Sequence, residues 1–79
     1  MSSELVLYIM AAAVKPVSSV SMLYDCKAAV YEKCVLITVA FADGHSVDGC
    51  GCTIFGALHA LMTESKKYPD YFGIWKNLD

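Results

Sequence analysis

Four cysteines are the side chains of this chain best suited to chemistry: Cys26, Cys34, Cys50 and Cys52. The last two stand one residue apart in FADGHSVDGCGCTIFGAL, residues 41–58. Four thiolates satisfy a structural zinc ion. The spacing suits it poorly, because knuckle-type sites put two residues between paired ligands. On a strand, alternate residues share a side, so Cys50 and Cys52 would point the same way, with Cys34 opposite Cys52 in the hairpin register argued below. Cys34, Cys50 and Cys52 could stay as thiols, form a disulfide or hold a metal. Plain thiols are the expectation. A Cys34–Cys52 bridge is sterically feasible but disfavoured by a reducing cytosol. No cofactor and no metal are expected.

A nucleophilic cysteine needs a helix N-terminus or a cation to lower its pKa. Cys52 directly precedes a helix start and is the best-placed thiol, although a small residue at a strand end is the commoner role. His45 and His59 show no spacing that builds a Cys–His–Asp set. Asp43 reads as a turn former and Asp48 as a solvated side chain, so no carboxylate pair is arranged for acid–base work. Phosphate loops, dinucleotide fingerprints and metalloprotease motifs do not occur. The chain is read as non-enzymatic.

The elements that must position these residues start with a hairpin. CVLITVAF, residues 34–41, is β-rich, and HSVDGCGC, residues 45–52, follows the turn ADG. A two-residue turn would mix the apolar face of one strand with the polar face of the other. A three-residue loop, Ala42-Asp43-Gly44, closed by a left-handed glycine, instead sets Phe41, Val39, Ile37 and Val35 against His45, Val47, Gly49 and Gly51. The second register segregates the faces and is preferred. KAAVYE, residues 27–32, is expected to add a preceding strand. TIFGALHALMTESKK, residues 53–67, is a helix with Thr53 as N-cap and Ile54, Phe55, Leu58, Leu61 and Met62 as its apolar face. Residues 4–14 suit a helix or a buried strand, and residues 18–25 a strand or a second short helix. The expectation is a single α+β domain over residues 1–79: an antiparallel three-stranded meander (about 27–32, 34–41 and 45–52) packed by the 53–67 helix.

Composition narrows the function. The chain has 79 residues, enough for one domain. It is 57% apolar, above the usual share of about half, and such surplus often goes into a partner or a homodimer. The net charge is −2, with six lysines and no arginine. Direct nucleic-acid binding is therefore not expected. The apolar run Leu5–Val14 has no basic n-region before it, Glu4 standing there instead, and is too short to span a bilayer, so a cytoplasmic protein without membrane attachment is expected.

The ADG turn at 42–44, the G-x-G-x-T of 49–53 and the AL pairs at 57–58 and 60–61 resemble the strand–turn–strand–helix pattern of small phage and prophage proteins of the anti-CRISPR type. The resemblance covers residues 30–61. It implies an inhibitor that binds a CRISPR surveillance complex or nuclease in a host cytoplasm and blocks DNA access or cleavage. Thr38, Ser46 and Asp48 on the polar sheet face, or Tyr71, Phe72 and Trp75 in the aromatic tail, are the candidate contact residues. The alternatives are a thiol or metal module built on Cys34, Cys50 and Cys52, and a homodimeric structural adaptor. If residues 4–14 are helical and 18–25 extended, the order also resembles double-stranded-RNA-binding domains. Those begin their last helix with basic residues, and here that position reads TIFGAL.

Overall fold

The computed structural model describes residues 3–26 and 34–76. Helix α1 (Ser3–Ala12) leads into strand β1 (Val17–Cys26), followed by β2 (Cys34–Phe41), β3 (Ser46–Gly51) and helix α2 (Ile54–Ser65). The strands form one antiparallel sheet in the order β1-β2-β3. The α+β class is as expected, and the N-terminal element is the helix. The strand that pairs with β2 on its first side is Val17–Cys26; the 27–32 segment expected there lies outside the described residues. The order helix–three strands–helix is also the layout that double-stranded-RNA-binding domains use, but the start of α2 carries no lysine.

The hairpin register is the one that side-chain parity selects. Val39 faces Val47, Ile37 faces Gly49 and Val35 faces Gly51. The Phe41 N–H donates to the His45 carbonyl at 2.8 Å and the Gly44 N–H to the Phe41 carbonyl at 3.0 Å, enclosing a three-residue loop. Gly44 takes φ 94°, the left-handed conformation that side chains avoid. Asp43 braces the loop by accepting the His45 N–H on Oδ1 at 2.9 Å.

One face of the sheet carries the core. Ile37 and Val39 are fully buried there with Ile9 of α1 and Leu58 and Leu61 of α2. Each such burial contributes roughly 1.5–3 kcal/mol. Helix α2 starts where Thr53 Oγ1 accepts the Gly56 N–H at 3.0 Å, as an N-cap should. It lies against β3 because β3 has no side chain at two buried positions. A Cβ on Gly49 would stand 2.6 Å from the Ala57 carbonyl oxygen and 2.7 Å from Leu61 Cα, and one on Gly51 2.5 Å from the Ala57 nitrogen. The buried side chains of α2 are Ala57, Leu58, Leu61 and Ser65. The expected apolar face was set by spacing through Ile54, Phe55 and Met62; the glycine seam rotates Ala57 toward the sheet and leaves Ile54 and Phe55 exposed.

The aromatic tail closes the domain against α1. Phe72 pairs with Ala13 as an isolated bridge. The Gly73 N–H donates to the Ala12 carbonyl at 2.7 Å, and the Val14 N–H to the Tyr71 carbonyl at 2.9 Å. Among the described residues, no helix is long and apolar enough to cross a membrane.

Candidate partner-binding surface

The sheet has a second face, and the polar contact residues expected from the sequence lie on it. Register places Ser21, Thr38 and Asp48 in one row across the three strands, and Ala40 beside Ser46 in the next. Ser21, Ser46 and Asp48 are exposed and Thr38 is half-buried. Toward the hairpin loop this face carries small and polar side chains, while Leu23 and Leu36 form an apolar row further along it; the helices pack on the opposite side.

The tail residues are placed differently. Phe72 is 4% exposed and belongs to the core, with its ring 5.4 Å from that of Phe41, edge-on, and stacked 5.4 Å from Trp75. Trp75 is half-buried; its indole N–H donates to Ser65 Oγ at 2.9 Å. That hydroxyl in turn donates to the Met62 carbonyl at 2.6 Å. Tyr8 lies 5.7 Å from Trp75, ring to ring, and its hydroxyl donates to the Lys76 carbonyl. These contacts spend Phe72 and Trp75 on holding the tail down. The exposed apolar residue of this segment is Ile74, at 93%.

Tyr71 joins a cluster at the hairpin loop. Its hydroxyl donates to Asp43 Oδ2 at 2.6 Å, and its ring stacks on His45 at 4.4 Å. Lys15 Nζ sits 4.4 Å over the same ring, and Tyr68 meets His45 edge-on at 5.0 Å. His45 Nε2 is shielded from solvent and has no hydrogen-bond partner. The Tyr71 hydrogen bond, with help from the His45 backbone N–H, holds the Asp43 carboxyl below its ordinary value of 3.8. The same bond pushes the Tyr71 phenol above 10.0. For Asp43, a lowered folded pKa means stabilisation that is present above 3.8 and lost as pH falls through the folded value. For Tyr71, a raised folded pKa means stabilisation that is present below 10.0 and lost as pH rises through the folded value. A Tyr71→Phe protein should melt slightly below wild type at neutral pH. The gap should close as the pH falls below 3.8, which thermal melts across acid pH will check; a gap independent of pH would assign the effect to packing instead.

The cysteines do not assemble as a trio. Cys34 is disulfide-bonded, while Cys50 and Cys52 are free. The expectation of plain thiols is corrected at Cys34, and the Cys34–Cys52 bridge is not formed. The register sets Cys26, not Cys52, as the β1 position opposite Cys34. Cys52 lies past the last paired residues, where the chain turns into α2, and it is exposed. Among the described residues, no group of three His, Cys, Asp or Glu side chains could hold a metal ion.

One strongly apolar concavity among the described residues was not legible as a site. It is a groove of about 510 Å³ between the N-terminal turns of the two helices and the end of β1. Leu5, Tyr8, Met22, Tyr24, Ile54 and Phe55 line it, and Glu4 supplies the rim charge. Phe55 is 71% exposed and Tyr24 58%. Large apolar side chains gathered at one open concavity mark an interaction site more often than a scattered few do. The sequence signal was present but ambiguous: Ile54 and Phe55 add apolar residues to a helix face that Ala57, Leu58 and Leu61 already fill. A second concavity of about 520 Å³, lined by His59, Lys66, Ile74 and Trp75 among others, is more polar.

No protein family matches the chain, and no curated protein and no solved structure matches it either.

Proposed function

We propose that this domain is a non-catalytic protein-binding module and that its partner seats in the groove between α1, β1 and α2. The observation that carries the reading is the exposure of Phe55 and Tyr24 on one apolar concavity beside Leu5, Tyr8 and Ile54. Exposed aromatics at the centre of such a patch are the anchors of protein interfaces. They contribute nothing comparable to the fold, whose core is filled by Ile9, Ile37, Val39, Leu58 and Leu61.

The finer form of the proposal is an inhibitor of a CRISPR complex acting in a host cytoplasm, supported by the resemblance of residues 30–61. A reducing cytosol would open the Cys34 disulfide, so an inhibitor working there must keep its groove without that bond. The test is a plasmid-interference assay in cells with an active CRISPR system, paired with binding of purified effector complex in the presence of reductant. Wild type should block interference. Phe55→Asp should weaken complex binding at least about thirtyfold, the scale of a single aromatic anchor worth ~2 kcal/mol, while its melting temperature stays near wild type. Interference untouched by wild type sinks the inhibitor reading. Binding untouched by Phe55→Asp moves the contact surface to the opposite sheet face.

A further inference from the structure

Among the described residues no strand pairs with the outer side of β1, and the hydrogen-bonding pattern says which groups face outward. In β2, the Phe41 N–H bonds across to His45, on the β3 side. Backbone groups alternate sides along an antiparallel strand. Phe41, Val39, Ile37 and Val35 therefore point at β3, and Ala40, Thr38 and Leu36 point at β1. Their partners on β1 are Ser19, Ser21 and Leu23. That leaves the N–H and C=O groups of Val20, Met22 and Tyr24 directed away from the sheet, and among the described residues no backbone bond reaches them.

Proteins ordinarily blunt such an edge with lysine, proline or a very short strand. Residues 17–24, VSSVSMLY, carry no lysine, proline or charge, and the ten-residue strand meets its acidic residue, Asp25, only at the register shift near its end. The opposite edge differs: β3 has six residues, carries Asp48 and turns directly into a helix. Register shifts between Val17 and Ser19 and between Tyr24 and Cys26 interrupt β1 at its two ends and leave Ser19–Tyr24 in regular register.

We infer that the β1 edge pairs antiparallel with the β1 edge of a second copy of this chain, centred on Met22. A two-fold axis there sets Met22 against Met22 of the second copy and Val20 against Tyr24 of the second copy. These are the three residues of the regular register whose backbone groups point outward with no partner among the described residues, so the pairing satisfies all three, and they share the helix-bearing face. Residues 17–24 are uncharged, and the two-fold sets Asp25 against Ser19 of the second copy rather than against its own counterpart, so like charges do not meet directly across the seam. A two-fold contact must be self-complementary, and Met22 lies near the middle of β1. A dimer interface has to clear roughly 1,000 Å² in total, about a tenth of each copy's 5213 Å² surface. Leu23 and Tyr24, 57% and 58% exposed, add apolar side chains to the contact from the two faces of the edge strand. The result is a six-stranded sheet with the two grooves on the same side of it. The inference goes beyond the groove reading, and Phe55→Asp leaves the edge intact, so the two can fail separately.

Sedimentation velocity over a range of concentrations, with hydrogen exchange on the same samples, tests this. Wild type should be a dimer, with the Val20, Met22 and Tyr24 amides losing protection on dilution while those of Ser19, Ser21 and Leu23 keep it. Met22→Pro removes an outward donor without breaking the bonds to β2. Ser21→Lys adds a charge on the exposed face of the edge. Each should weaken dimerisation at least tenfold, and Ser21→Lys decides the matter if the proline variant does not fold. A wild type monomeric at every concentration overturns the inference. So does a dimer unaffected by both variants, or an edge that becomes protected only when an extended segment of another protein is added.

Discussion

A Gly49→Val protein should show no cooperative thermal transition under conditions where wild type melts sharply. Ile37 lies directly across the hairpin from Gly49, and the backbone of α2 lies directly above it. The valine Cβ alone would stand 2.6 Å from the Ala57 carbonyl oxygen and 2.7 Å from Leu61 Cα. Both are main-chain atoms, so no rotamer change relieves the clash and the whole helix must lift. Lifting it uncovers Leu58 and Leu61, and re-exposing two such side chains forfeits about 3–6 kcal/mol. A chain of this length has a total stability on the order of 4–12 kcal/mol. Gly51→Val should behave similarly, because its Cβ would lie 2.5 Å from the Ala57 nitrogen and from the Gly56 carbonyl carbon. Cys50→Ser, between the two, is the control. Cys50 is half-buried on the opposite face and free, so its melting temperature should stay close to wild type. Circular-dichroism melts of the three variants give the answer. A folded Gly49→Val protein would mean that α2 does not sit on β3 as described.

The second large effect is expected at Phe72. Its ring is buried against Phe41 and Trp75, and its backbone is bridged to Ala13. Truncation of a buried phenylalanine costs about 3–5 kcal/mol. Here the loss also frees the tail, since Trp75 loses the ring it stacks on. Phe72→Ala should therefore lower the denaturation midpoint strongly. It should also raise hydrogen exchange at the Gly73 and Val14 amides, whose acceptors are Ala12 and Tyr71. Trp75 fluorescence should shift to the red as the indole becomes wet. A midpoint near wild type would show that the tail is dispensable to the fold.

Some of this architecture could be read in advance. Parity alone distinguished the two hairpin registers, because only one puts Val35, Ile37 and Val39 on the side of Gly49 and Gly51. Thr53 before an apolar periodic run marked the helix start. The first strand was harder. In VSSVSMLY the serines weaken the alternation, and a bulge between Val17 and Ser19 breaks its period, so KAAVYE competed successfully for the role. Helix α1 buries chiefly Ile9 and Ala12, too narrow a stripe to separate helix from strand in an apolar segment. The groove escaped for a different reason. Ile54 and Phe55 have helical spacing with Leu58, and spacing does not tell a core face from a docking face. That distinction depends on how the helix is rotated, and the rotation is set by two glycines on another element. The Cys34 bond escaped because four cysteines allow three pairings that sequence cannot rank.

The bridge between Ala13 and Phe72 has a bearing on how the protein is made. Ala13 leaves the ribosome 59 residues before its partner. Throughout that interval Ile9 and Ala12, which the finished domain buries, lack the segment that closes over them. Contacts so distant along a chain form late and slowly, and apolar surface left waiting is what chaperones bind and what aggregates. In translation the sheet and α2 can assemble first. The N-terminal helix is locked in last, when residues 71–73 emerge to clasp it.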